Sequence, residues 1–350
     1  MDDVAHDARA FAPELPELRE LEAIVAAGGA HLDTRLVCET TARKQRFPVY
    51  AVCLGNSSPR VPAVGVFGGV HGLERIGTAV VLAYLRSLVA RLSWDSVLHR
   101  QLDGLRMVFI PVVNPGGMWL GTRANPNGVD LMRNAPLDAA DPVPFLIGGQ
   151  RIGPRLPWYR GPAGGPMEAE ASALCRVVEE ELLSREFSIA VDCHSGFGLR
   201  DRLWFPYAHT RMPIAHLPEV QALKEILDRT HVSHSYLVEP QSCRYLTHGD
   251  LWDYLYQRAA SQGDRVFLPF TLEMGSWLWV KKNPRQLFSR EGIFNPVVAH
   301  RQQRVQRRHL VLLDFLARAA CGHSHWRPCG EGRQGHRQRA LDRWYWAGNR

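Results

Sequence analysis

Ala63-Val64-Gly65-Val66-Phe67-Gly68-Gly69-Val70-His71-Gly72-Leu73-Glu74 is the stretch on which the reading of the fold turns. Residues 63–67 carry no polar alternation, the pattern of a strand buried on both faces. Two glycines end the run, and apolar residues then recur at helical spacing over 76–92. A buried strand, a tight turn and a helix form the building unit of an α/β sheet. His71 and Glu74 lie in the turn, just past the carboxyl end of the strand, where such sheets gather their ligands.

The pattern recurs along the chain. Residues 105–113 form an apolar run stopped by Asn114-Pro115-Gly116-Gly117, residues 187–193 run into His194, and residues 266–272 run into Glu273. A further strand is predicted over 47–54, separated from 63–67 by the turn Gly55-Asn56-Ser57-Ser58-Pro59. Periodicity predicts helices over 15–27, 76–92, 167–183, 217–231, 249–262 and 301–319. The stretch 119–166, rich in Gly and Pro, is read as a long irregular connection, which in a compact domain is usually functional or disordered. Together these predict an α/β fold, with a mixed, largely parallel twisted sheet covered by helices on both faces. Residues 1–45 are expected to be a lead-in packed on the main domain, 46–320 the main domain, and 321–350 a basic, flexible tail.

Bulk properties narrow the function classes. With 45% hydrophobic and 22% charged residues over 350 positions, the chain can bury a sizeable core. No run of 18 apolar residues occurs, so no membrane span is expected. The acidic start, Met1-Asp2-Asp3-Val4, lacks the apolar segment of a cleaved secretory signal. Seven scattered cysteines, an odd number with no C-x-x-C, predict reduced thiols and a cytoplasmic location. The net charge of +7 is concentrated at one end: residues 300–350 hold 11 Arg and no Lys against Asp314, Glu331 and Asp342. Such a tail is more often solvated than bound to nucleic acid, and no base-reading motif accompanies it.

His71, Glu74 and His194 offer two imidazoles and one carboxylate, each at the mouth of a predicted strand. Three protein ligands leave a fourth position for water, the signature of a catalytic zinc site, so one zinc per chain is expected. Strand alternation places Asp192 on the same face as His194, as a support for the ligand, and turns Cys193 to the opposite face, as a small buried hydrophobe.

In its order along the chain the set resembles the M14 zinc carboxypeptidases. The matching residues are His71-x-x-Glu74, Gly121-Thr122-Arg123, Gly128-Val129-Asp130-Leu131-Met132-Arg133-Asn134, Tyr159-Arg160-Gly161-Pro162 with Glu168 and Glu170 beyond, Asp192-Cys193-His194-Ser195-Gly196, and Phe270-Thr271-Leu272-Glu273. The resemblance spans about 50–278. It implies that His71, Glu74 and His194 hold the zinc, that Glu273 is the general base, and that Arg123 stabilises the oxyanion. It further implies that Arg133 clamps a terminal carboxylate, that Asn134 and Tyr245 bind substrate, and that Trp252 lies near the side-chain pocket. The expected substrate is a peptide or peptide-like amide cleaved at its C-terminal residue.

Met132 departs from the pattern, which usually has Asn there, and Met cannot hydrogen-bond a carboxylate effectively. Arg200, Arg202, Lys281 and Lys282 are cations that could take over that task. The alternative is an N-acyl amino acid deacylase resembling the aspartoacylase and succinylglutamate desuccinylase branch. The Tyr159 and Tyr245 segments favour the carboxypeptidase. A non-catalytic binding module is the third reading, disfavoured because all three ligands and Glu273 are present.

Overall fold

The computed structural model describes residues 15–289 and 291–346. Residues 1–14 of the expected lead-in and 347–350 of the expected tail lie outside them. In chain order the elements are α1 (Pro16–Gly28), β1 (Asp33–Ala42), β2 (Gln45–Gly55), β3 (Ala63–Gly68), α2 (Arg75–Arg91), α3 (Ser96–Asp103), β4 (Arg106–Ile110), α4 (Pro115–Leu120), α5 (Ala169–Val178), β5 (Phe187–Ser195), β6 (Arg202–Phe205), α6 (Leu217–Thr230), β7 (Leu237–Pro240), α7 (Leu251–Ala260), β8 (Val266–Met274), α8 (Trp277–Lys282), α9 (Ala299–Cys321), α10 (His323–Trp326) and α11 (Gly330–Trp344).

One eight-stranded sheet runs β1-β2-β4-β3-β5-β8-β6-β7. Its centre, β4-β3-β5-β8, is parallel, while β2 joins β4 and β6 joins β8 antiparallel. Every residue of β3, β4, β5 and β8 is buried, which requires cover on both faces and explains why their sequences are mostly apolar, with most of the polar residues of β5 and β8 toward the carboxyl ends. α2 and α9 pack on β3 and β5; α5 and α7 pack together, α5 also against β1 and α7 against β8. The α/β, mixed and largely parallel sheet is as the sequence predicts. Strands β6 and β7, four residues each, are additions that were too short to show a period.

Parallel pairing sets the site. β3 pairs with β5 up to Gly68↔Cys193, and β5 with β8 through His194↔Glu273. The carboxyl ends of three adjacent strands therefore deliver His71, His194 and Glu273 to one place. Two glycines keep the backbone close there. A Cβ on Gly72 would lie 2.2 Å from the carbonyl carbon of Gly117, and one on Gly249 (φ +68°) would lie 2.0 Å from the carbonyl oxygen of Arg133.

Two domain expectations are corrected. The 45/46 boundary cuts the β1–β2 hairpin, so the lead-in is part of the sheet. The expected flexible tail is instead built around α11, which packs on α6. Two of its arginines pair with acids of the body: Arg333 Nε lies 2.9 Å from Glu219 Oε1, and Arg339 Nε 2.9 Å from Glu225 Oε1. Trp344 donates its indole N–H to Val238 O at 2.8 Å and meets Phe205 edge-on at 4.9 Å. These acids lie more than 100 positions away in the chain, which no local pattern displays.

Deleting residues 322–350 is expected to lower the melting temperature by about 5 °C or more, read by calorimetry, because it uncovers β6 and β7 at the sheet's edge. A pH effect follows from His309 on α9. Burial, offset in part by Asp201, lowers its pKa to about 4. Between the unfolded value of about 6.5 and pH 4 only the unfolded chain takes up this proton. Stability due to His309 is therefore full above 6.5 and falls by about 3 kcal/mol as the pH drops to 4. Chemical denaturation of His309→Gln across that range should show a correspondingly flatter dependence.

Candidate active site

His71 and Glu74 leave β3 in a turn closed by Glu74 N–H donating to His71 O at 3.0 Å. Both side chains are buried, as is His194. His71 Nδ1 and His194 Nδ1 face each other at 3.2 Å, and the Glu74 carboxylate lies 3.0 Å from the first and 3.1 Å from the second. Each imidazole is backed by a carboxylate: His71 Nε2 meets Asp130 Oδ1 at 3.0 Å, and His194 Nε2 meets Asp192 Oδ2 at 2.7 Å. With Nε2–H donating outward, both Nδ1 lone pairs point inward. Two inward lone pairs and a carboxylate repel one another unless a proton or cation lies between them. This donor set, with its ligand atoms all within 4.8 Å of one another, fits a zinc ion.

The electrostatics agree. Burial alone would raise the Glu74 carboxyl, but His71 and His194 outweigh it and hold it well below the usual range. Asp130 is likewise held low against burial, by Arg123 and then His71. Burial opposes the His194 proton, yet Asp192 and Glu74 hold it well above the usual imidazole range. A field that retains a proton so firmly would also favour a divalent cation.

Arg123 bridges two of these carboxylates, with Nη1 3.1 Å from Glu74 Oε1 and Nε 2.9 Å from Asp130 Oδ2. Glu273 accepts the Phe197 N–H at 2.9 Å. Burial, then the Glu74 charge, pushes its carboxyl up to about 8, which suits a group that takes and returns a proton near neutrality. These residues open on a cavity of about 300 Å³, lined also by Arg133, Tyr245, Trp204 and Trp277. A larger groove between α2, α6 and α9 is remote from this chemistry, and its charges pair locally, as Arg91 with Asp95 at 2.8 Å.

The sequence profile of the zinc carboxypeptidases matches residues 36–279. The chain belongs to the zinc carboxypeptidase family. Carboxypeptidase E of Caenorhabditis elegans is 30% identical over 95 residues, 23% of this chain and 20% of that protein. Carboxypeptidase D of Drosophila melanogaster is 30% identical over 91 residues, 23% of this chain and 6% of that one. The chain thus spans a small part of these curated relatives. Among solved structures, thrombin-activatable fibrinolysis inhibitor shares the fold with a TM-score of 0.63 at 18% identity, over 86% of this chain and 72% of the other. Carboxypeptidase A of Helicoverpa armigera gives 0.60 at 17% identity, over 86% and 71%.

Against the zinc carboxypeptidase pattern, the structure brings His71, Glu74, His194, Glu273, Arg123, Arg133 and Tyr245 to one cavity. Asn134 does not join them. Its Nδ2 donates to Arg160 O at 3.0 Å and its Oδ1 accepts Glu168 N–H at 2.6 Å, so it braces the loop behind Arg133. Trp252 stays out of the cavity, tilted against Phe67 and donating Nε1–H to Asp192 Oδ2 at 2.9 Å. Arg202 is spent on Glu239 at 3.2 Å, which removes it as a spare carboxylate ligand. Asp130, for which the motif implies no role, holds His71 and accepts the Met132 N–H at 3.1 Å. Replacing Asp192 by Asn is expected to weaken zinc binding roughly 10- to 100-fold in a chelator-competition titration, with the fold retained.

Proposed function

We infer that this chain is a zinc-dependent peptidase that removes the C-terminal residue of a peptide or peptide-like amide. The observation that carries this is the pairing of His194 with Glu273 across β5 and β8, which sets a buried base beside the two-imidazole, one-carboxylate cluster. His71, Glu74 and His194 would hold one zinc ion. A zinc bound there supplies a Lewis acid that polarises a carbonyl and acidifies water. Glu273 takes the proton of the attacking water and passes it to the leaving amine. Arg123, whose pKa is raised by Asp130 and Glu74 against burial, stays cationic where negative charge develops on the carbonyl oxygen.

Arg133 is placed to receive the terminal carboxylate. Its Nη1 donates to Met132 O at 3.2 Å, while Nε and Nη2 share Ile147 O at 3.3 Å, so the fork is oriented before substrate arrives. Tyr245 lines the same cavity beside Arg133, packed near Phe197 and Trp204 with centroids 5.9 and 6.0 Å away. Met132 in the cavity wall removes a polar partner of the clamp, and it bears equally on peptides and on the N-acyl amino acids of the second reading, deacylation, because both carry a terminal carboxylate. All seven cysteines are free thiols, which supports a reducing compartment such as the cytoplasm.

Glu273→Gln is expected to keep zinc, measured by mass spectrometry of the native protein, and to lower kcat by about 10²- to 10⁴-fold. Residual activity near wild type would assign the base elsewhere. Digestion of a peptide library and of N-acyl amino acids should show single residues lost from peptide C-termini; release from the acyl amino acids alone would replace the peptidase by the deacylase.

A further inference from the structure

β8 carries Glu273 to the cavity, and the ladder that holds it ends just beyond. β8 pairs with β5 through Ser195↔Met274 and with β6 through Arg202↔Glu273, and no pair follows. The next free backbone N–H, that of Gly275, donates to Asp201 Oδ1 at 3.0 Å. Asp201 directly precedes β6 and is 8% exposed. Its carbonyl accepts the Leu237 N–H at 3.0 Å, which ties it to β7. Its Oδ2 accepts Arg308 Nη1 of α9 at 2.7 Å. His309 Nε2 is 3.9 Å from the same oxygen, but burial keeps that imidazole neutral near pH 7, so the counter-charge is Arg308.

Asp201 fastens a junction of two loops, 196–200 after β5 and 275–277 after β8. A Cβ on Gly275 would lie 2.7 Å from the backbone N and C of Arg200, so the two backbones touch there. Trp277 donates its main-chain N–H to Gly198 O and its indole N–H to Gly196 O, both at 3.1 Å. On the same loop, Phe197 N–H donates to Glu273 Oε1 at 2.9 Å. Phe197, Trp277 and Glu273 line the cavity, whereas Asp201 does not. A main-chain N–H on one carboxylate oxygen fixes where that carboxylate points. A general base must lie within hydrogen-bond reach of the proton it takes, and a misplacement of about 1 Å can lower the rate about 100-fold.

We propose that Asp201 is a positioning residue for the hydrolysis: by fastening Gly275 to β7 and α9, it keeps the Phe197 N–H against Glu273 and so sets the direction of the base. The proposal rests on the peptidase reading above, in which Glu273 is that base. Asp201 touches neither substrate nor base and acts through the main chain of the two loops.

The test compares zinc-loaded wild type with Asp201→Ala and Asp201→Asn, well below each melting temperature, on a peptide cleaved in the library digest. Asn retains an oxygen for the Gly275 N–H and loses only the charge facing Arg308; Ala loses both. Asp201→Ala should lower kcat by about 30- to 100-fold with KM within about threefold, and Asp201→Asn should restore kcat to within about fivefold of wild type. Zinc content, read by native mass spectrometry, should be unchanged in both. Hydrogen exchange at the Phe197 amide should quicken by about tenfold or more in Asp201→Ala and stay near wild type in Asp201→Asn. A kcat in Asp201→Ala within about threefold of wild type, despite a lowered melting temperature, overturns the proposal. So does an Asn variant as impaired as the Ala variant, or a KM that rises as far as kcat falls. Should Asp201→Ala not fold, Asp201→Ser, too short to reach Gly275, is judged by the same outcomes. If wild type cleaves no peptide, the peptidase reading fails instead. Phe197 exchange then decides for Asp201: a rate unchanged in the Ala variant rejects it.

Discussion

Two imidazole nitrogens facing each other at 3.2 Å, with a carboxylate against both, form an arrangement that free side chains in water would avoid. It persists because each ring is held from behind, His71 by Asp130 and His194 by Asp192. Those two carboxylates are anchored in turn. Asp130 accepts the Met132 N–H and the Arg123 guanidinium, and Asp192 accepts the Trp252 indole. The arrangement of the central strands follows from the same demand. β3, β5 and β8 must be adjacent and parallel for His71, His194 and Glu273 to meet, and the connection after α4 must return across the strand ends to deliver Arg123, Asp130 and Arg133.

Burying this many charges works against stability unless each finds a partner. The protein meets that demand with alternating signs: Arg123 lies between Glu74 and Asp130, and the imidazoles between carboxylates. Glu273 and Asp250 accept backbone N–H groups but make no ion pair among the described residues, and burial pushes both toward neutrality. Groups left unpaired at such a cost cluster where function needs them. In this protein they lie on one cavity, beside Arg133, the guanidinium with donors still to spare.

Legibility followed physical range. The central strands were readable because burial on both faces makes their sequences continuously apolar, as in Ala63-Val64-Gly65-Val66-Phe67. The same-face relation of Asp192 and His194 was readable because alternation is a local rule. β6 and β7 were not, being four residues long. The motif implies substrate binding for Asn134 and a place near the side-chain pocket for Trp252, and the fold uses one as a loop brace and the other as a donor to Asp192. Arg333 and Arg339 of α11 read as part of a solvated tail because their acids lie on α6.

The sequence by itself determined the α/β class, the long irregular connection, and the residue types of a zinc hydrolase in their order along the chain. Each of these rests on periodicity, composition or short spacing, which are properties of neighbours in the chain. Only the tertiary structure decided which imidazole nitrogens converge, which carboxylates stand behind them, and which oxygen of Asp250 is left without a partner. Those are questions of direction and burial at distances of about 3 Å between residues tens to hundreds of positions apart, and only the packed sheet sets them.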